Sequence, residues 1–482
     1  MPQWLGRHKW LLLTAAVMII GLLAFVACKD DKKEGTTPSP AAETPTAVAL
    51  NCAGAGARNI TGDDLYVSSS TGLSAGERTA SLQGTALKIG VLVPYTGALA
   101  TFGPDYENAA KLAAKCLNNA GGVNGGQVEI VTGDDATNPE PAVTEAERLV
   151  NVEHVAAIVG GAASSVTLAV SESVTTPNEI LQISPASTSP ALTDAVDNDF
   201  LFRTPISDAA QGVVLGQLLY NDLGLKKVCD MYVNNAYGQG LSAQYKKTFE
   251  ELGGTVTASV PHDDAQAVSY ASQLQQCTAG SPEAMVAISY PVGQATVYLR
   301  EALEGGLIDN FVFVDGTREK TMFEELGWDH FDGMFGTAPG ALTTAFGKAF
   351  DEAYQSEYGT LYQSPFVRES FDAVIAIALA AAKAGTNTDS AAIRDSLRDV
   401  SNAPGTEYGP SQADLTAALT AIGNGEDIDY QGASGSVDFD DNGDVTFGAI
   451  EVWKVDAATK SLVVDRRSTV DLATGEIKPL EE

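Results

Sequence analysis

Between residues 87 and 192 the chain repeats one pattern: a short unbroken apolar run, a turn of small, hydroxylated or acidic residues, then helical spacing. LKIGVLV leads into PYTGALATFG, VEIVTG into DD, VAAIVG into GAASSVTLAV, and EILQIS into PASTSPALT. Helical patterns occupy 105–119, 140–152 and 166–176. A second run starts at Lys226, with KKVCDMYV, TVTASVP, AMVAISY and NFVFVDG separated by helical patterns at 238–252, 266–277 and 293–305. Short strands that are apolar throughout suit a parallel sheet covered on both faces. Two such runs, parted by the polar segment 194–207, predict an α/β protein of two Rossmann-like lobes with parallel sheets. Later residues change the order: helices are predicted over 341–357, 366–384, 389–399 and 412–420. The strand–turn–strand pattern GSVDFDDNGDVTFGAIEVWKVD follows, so the chain is expected to cross between lobes more than twice.

Ahead of these runs the pattern is different. Arg7, His8 and Lys9 precede an apolar stretch over 10–24, and Phe25-Val26-Ala27-Cys28 follows. This resembles a bacterial lipobox, with residues 1–27 as signal peptide and Cys28 lipidated as the mature N-terminus. Phe25 stands where Leu is more usual, and an uncleaved membrane anchor is the other reading. Either one places the body outside the cytoplasm. Residues 29–50 are rich in Lys, Asp, Pro and Thr without apolar period, so 28–85 reads as a flexible tether and N-terminal extension.

The formal charge of −33 argues for a well-solvated body and against binding nucleic acid or anionic lipid. Cys52, Cys116, Cys229 and Cys277 are an even set in an oxidising compartment, open to three pairings. Cys229–Cys277 is favoured because both fall within one lobe; Cys52–Cys116 would then pin the extension to the first helix. Four buried free thiols are the alternative.

Catalysis finds no support: His154, His262 and His330 lie in unrelated contexts, and no metal cluster, nucleophile elbow or phosphate loop is present. DFDDNGD (438–444) begins like a calcium loop, but its twelfth position is Ala449 where a bidentate Glu is needed. No cofactor and no metal are expected.

IGVLVPYTGALATFG, GDDATNPEPAVTEAERLV, VGGAASSVTLAV, ISPASTSPALT, NNAYGQGLSAQYKKTFEELGG and GASGSVDFDDNGDV occur in one order. Together they resemble the substrate-binding proteins of the branched-chain amino-acid (Leu/Ile/Val) ABC transporters, of type I periplasmic-binding-protein fold. The resemblance implies two lobes joined by a three-segment hinge, with lobe 1 over 86–206 plus 336–433 and lobe 2 over 207–335 plus 434–472. It also implies a small amino-acid-like ligand held in the cleft and delivered to a membrane ABC permease. A ligand-sensing receptor module is the alternative from another class, and short amides, urea or aromatic acids are the alternative ligands.

The resemblance places Ser164 and Ser165 at a strand end and helix start, with Ser164 on the ligand carboxylate; plain helix capping is the structural alternative. Thr188, with the backbone of Ala186 and Ser187, matches the second polar contact set, or else stabilises its own turn. Asp315, ending NFVFVDG, matches the acidic residue that receives an ammonium group, or else caps the next helix. Phe102, Tyr237 and Tyr290 are candidate aromatic walls, and Phe371 a candidate lid of the pocket, each otherwise ordinary packing.

Overall fold

The computed structural model describes residues 52, 84–472 and 474–480. The signal peptide, Cys28 and nearly all of the tether and extension lie outside the described residues.

The first sheet is entirely parallel. Strands β1 (Leu87–Val93), β2 (Val128–Asp134), β3 (Ala157–Gly160), β4 (Leu181–Ser184) and β5 (Leu201–Arg203) are ordered β2-β1-β3-β4-β5. Every residue of β1 but Lys88 is buried, as a strand covered on both faces requires. Helix Gly103–Asn119 covers one face and packs against helix Val367–Ala384. That second helix is buried nearly throughout from Val367 to Ala381. Its run of Ala and Ile makes it apolar on all sides, which suits a helix inside a lobe and not on its surface.

The second sheet mixes directions. β6 (Lys227–Val233), β7 (Thr255–His262), β8 (Ala284–Ile288), β9 (Phe311–Phe313) and β10 (Phe335–Gly340) run parallel. β13 (Phe447–Asp456), β14 (Ser461–Asp471) and β15 (Glu476–Pro479) extend its edge antiparallel. The order is β15-β14-β13-β10-β9-β8-β6-β7. A two-stranded parallel piece pairs β11 (Thr406–Tyr408) with β12 (Ile428–Tyr430). Cys52 is bonded to Cys116 and Cys229 to Cys277.

The chain crosses between the lobes three times: between β5 and helix Asp208–Gln217, between β10 and helix Ala345–Tyr358, and just before β13. Two of the expected boundaries need correction. A boundary at 335/336 would assign β10 to lobe 1, yet β10 is paired on both sides within the second sheet, to β9 and β13. A boundary at 433/434 would assign 434–446 to lobe 2. That segment instead stays on lobe 1, where Phe439 meets Phe202 edge to face and Asp444 binds Arg203 of β5. The expected first strand of the closing pattern does not form, and its segment makes the isolated bridges Gln431↔Ser436, Phe439↔Val445 and Arg203↔Asp444. The helix expected over 389–399 is two, Ser390–Asp395 and Leu397–Ser401.

Candidate functional site

Parallel strands place their following turns on one side of each sheet, and ligands of such sheets sit there. Here those turns converge on a small cavity lined by both lobes. From lobe 1, Leu99 and Phe102 follow β1, Ala162, Ala163 and Ser164 follow β3, and Ala186 follows β4. From lobe 2, Tyr237 follows β6, Tyr290 follows β8, and Asp315 and Gly316 follow β9. Tyr106 and Phe366 complete the lining.

Ser164 opens helix Ser164–Val170, one residue after β3's short loop. Its Oγ accepts the backbone N–H of Ser189 at 3.2 Å, which leaves its own proton to donate into the cleft. Across from it, Asp315 starts the tight turn Asp315–Thr317, held by the Val314 N–H on Thr317 Oγ1 at 3.0 Å. Asp315 Oδ1 accepts from Gln211 Nε2 at 2.8 Å and from Tyr237 Oη at 2.9 Å. Among the described residues it is the only acid on the lining apart from the tyrosine hydroxyls, and none of them places a Lys, Arg or His there. Burial raises its pKa from the ordinary 3.8 to about 6, against the pull of the Gln211 and Tyr237 donors.

Tyr237 sits in the first turn of helix Ala236–Glu251, capped by Asn235, whose side chain accepts the Gly238 N–H. Its ring stacks on Tyr290 with centroids 5.6 Å apart and planes 12° apart. The Tyr290 hydroxyl accepts from Asn235 Nδ2 at 3.2 Å. The two rings form a flat wall whose polar edge is already committed to Asp315 and Asn235. Phe102 faces them from lobe 1, edge to face with Tyr106 at 6.2 Å. Burial, then Glu369, Asp105 and Asp315, push the Tyr106 hydroxyl far above its ordinary pKa, so it is a neutral donor.

Ser164, Ala186, Phe102, Tyr237, Tyr290 and Asp315 are thus brought together, and four other expected residues are not. Ser187 is fully buried and its Oγ bonds Thr167 Oγ1 at 2.7 Å and Ala162 O at 3.1 Å, behind the lining. Thr188 Oγ1 donates to Asp208 Oδ2 at 2.9 Å, also behind it. The Ser165 hydroxyl is buried without a hydrogen-bond partner and does not line the cavity. Phe371 lies in the lobe 1 core against Phe350, 5.0 Å between centroids, and not over the cavity. Among the described residues no group of three or more His, Cys, Asp or Glu is arranged for a metal ion, and DFDDNGD spends Asp444 on Arg203.

Five contributors were not anticipated, of which Leu99 lies in the turn after β1. Tyr106 follows Phe102 by one helical turn, a spacing visible in the sequence. Gln211, on the helix that enters lobe 2, carries no strand-end signal. Gly316 lines the cavity and gives its backbone N–H to the Tyr237 hydroxyl at 3.2 Å. Phe366 turns the chain in the left-handed region, φ 65°, just before helix Val367–Ala384, and a bulky residue gives no hint of that conformation.

Residues 86–421 match the family described as periplasmic binding protein. An amino acid binding protein of Pseudomonas aeruginosa is 41% identical over 165 residues, 34% of this chain and 44% of the relative, so this match spans less than half of that protein. A Leu/Ile/Val-binding protein homolog 1 of Brucella abortus is 31% identical over 313 residues, 62% of this chain and 79% of the relative. The crystal structure of a leucine binding protein LivK from Thermotoga maritima has the same fold, at TM-score 0.65 and 24% identity, over 79% of this chain and 98% of that one. The chain therefore belongs to the periplasmic binding protein family, as a two-lobed extracytoplasmic solute-binding protein.

Proposed function

We propose that this protein captures an α-amino acid, of the branched-chain class first, between its lobes and delivers it to a membrane ABC permease, tethered through a lipid on Cys28. One observation carries the amino-acid reading: Asp315 is a buried carboxylate served by neutral donors, on a lining to which the described residues bring no cation. A charge held that way is costly to bury until an opposite charge arrives. A ligand ammonium supplies it. The ligand carboxylate then meets the Ser164 hydroxyl and the first-turn amides of helix Ser164–Val170, and the Tyr237/Tyr290 wall and Phe102 pack its apolar side chain. The names of the Brucella and Thermotoga relatives support the branched-chain class.

The test is a melting-temperature screen of protein unfolded, dialysed and refolded to strip carried-over ligand, against amino acids, short amides, urea and aromatic acids. A ligand at a hundredfold excess over its Kd adds about 2.7 kcal/mol of stability. Leucine, isoleucine or valine should raise the melting temperature most. A shift with urea, amides or aromatic acids alone would overturn the reading.

A further inference from the structure

Behind Asp315 lies a second acid that the binding reading does not use. Asp208 begins helix Asp208–Gln217 and is fully buried. Its Oδ2 accepts from Thr188 Oγ1, but its Oδ1 is buried with no partner. Three residues on, and so on the same side of the helix, Gln211 Oε1 is also buried with no partner. The orientation of the Gln211 amide is settled by its surroundings. Its Nε2 faces three acceptors, Asp315 Oδ1 at 2.8 Å and the Thr337 carbonyl and hydroxyl oxygens at 3.2 Å each. Turning the amide over would set oxygen against the Asp315 carboxylate and the Thr337 carbonyl, neither of which can donate. Two fully buried acceptors, three residues apart in one helical turn, therefore lack a donor, and buried polar groups left so are rare and costly.

We propose that Asp208 is held as the neutral acid and gives its proton to Gln211 Oε1, which locks the Gln211 amide N–H on Asp315 and leaves the cleft one negative charge instead of two. One proton satisfies both orphan oxygens. Arg203 is the cation that bears on Asp208, but its guanidinium is committed to Asp444 at 2.6 and 2.8 Å, to the Ser189 carbonyl at 2.7 Å and to Thr193 Oγ1 at 2.9 Å. The other ionisable groups that bear on Asp208 are Asp315 and Tyr237. Burial first, and then the Asp315 charge, push the Asp208 carboxyl well above its ordinary range, in the same direction. Asp208 and Gln211 are positioning residues: they set the direction and the charge of the group that meets the ligand. This inference rests on the reading of Asp315 as the ammonium acceptor only for its consequence, charge selection; the proton itself is a property of the ligand-free protein.

Infrared spectroscopy of the ligand-free protein at pH 7 tests it directly. Wild type should show a protonated-carboxyl C=O band that disappears in Asp208→Asn. Asp208→Asn, whose amide N–H replaces the lost donor, should melt within a degree or two of wild type, and Asp208→Ala roughly 5 °C lower. Gln211→Met serves should the Asp208 variants fail to fold: losing the acceptor should move the same band to higher frequency. No band lost in Asp208→Asn, or no movement in Gln211→Met, would overturn the proposal. Neither readout uses a ligand, so failure here is distinct from failure of the ammonium reading, which Asp315→Asn reports.

Discussion

Asp444 and Asp315 are both buried carboxylates drawn into contact with distant parts of the chain, and they are treated oppositely. Asp444 takes both arms of Arg203, at 2.6 and 2.8 Å, plus the Thr193 hydroxyl at 2.6 Å. Its charge is balanced within the protein, and the pair fastens the 434–446 segment to β5 on lobe 1. From side chains, Asp315 receives an amide and a phenol, both uncharged. Its charge is oriented but unbalanced, and it faces the cleft. A saturated buried acid fastens; an oriented acid without a counter-ion is free, as we propose for Asp315, to receive a ligand's charge.

The comparison breaks most visibly at Arg203. Arg203→Ala strands the Asp444 carboxylate and should destabilise the protein by about 3–5 kcal/mol, read by urea unfolding of the ligand-free form. The affinity of the molecules that remain folded should change little. A loss below about 1 kcal/mol would place the Arg203–Asp444 pair among the dispensable ion pairs.

Asp315→Asn should do the reverse. Amino-acid affinity should fall by about 2–5 kcal/mol, read by calorimetric titration, while stability holds or rises. The pH behaviour sharpens the contrast. Because Asp315 is raised from 3.8 to about 6, the folded protein holds its proton more tightly than the unfolded chain does. Its contribution to stability is complete below about pH 4 and is lost as pH rises to about 6, an order of about 3 kcal/mol. Ligand affinity runs the other way, since an ammonium needs the carboxylate. Wild-type affinity should fall as pH drops below about 6, and that fall should be absent in Asp315→Asn. An unchanged slope in the variant would assign the pH dependence to another group.

The same contrast explains what the sequence made legible. Residues at strand ends announce themselves, because an apolar run stops at a small or polar turn. Phe102, Ser164, Ala186, Tyr237, Tyr290 and Asp315 all sit at such places, and all line one cavity. Which way a hydroxyl faces within the turn is decided by partners far along the chain. Thr188 faces Asp208, 20 residues on, and Ser187 faces Thr167, 20 residues back, and neither pairing leaves a local trace. The lobe boundaries failed for a similar reason. FGTAPG of β10 has too little apolar content to read as a strand, and is made one by β9 and β13. The 434–446 segment is held to lobe 1 by an ion pair spanning 241 residues. β14, with the charged run DRRSTVD, shows no apolar alternation and forms as an outer strand on β13.

The central claim is that Asp315 acts as the receptor for an ammonium group, and two ligands that differ in that group alone test it. Refolded wild-type protein should be titrated at pH 7 with L-leucine and with 4-methylpentanoate, which keeps the side chain and carboxylate and lacks the amine. Leucine should bind at least about 30-fold more tightly, the lower end of what a buried charge pair contributes. Equal affinities would mean that Asp315 does not receive the ligand's charge and would contradict the account.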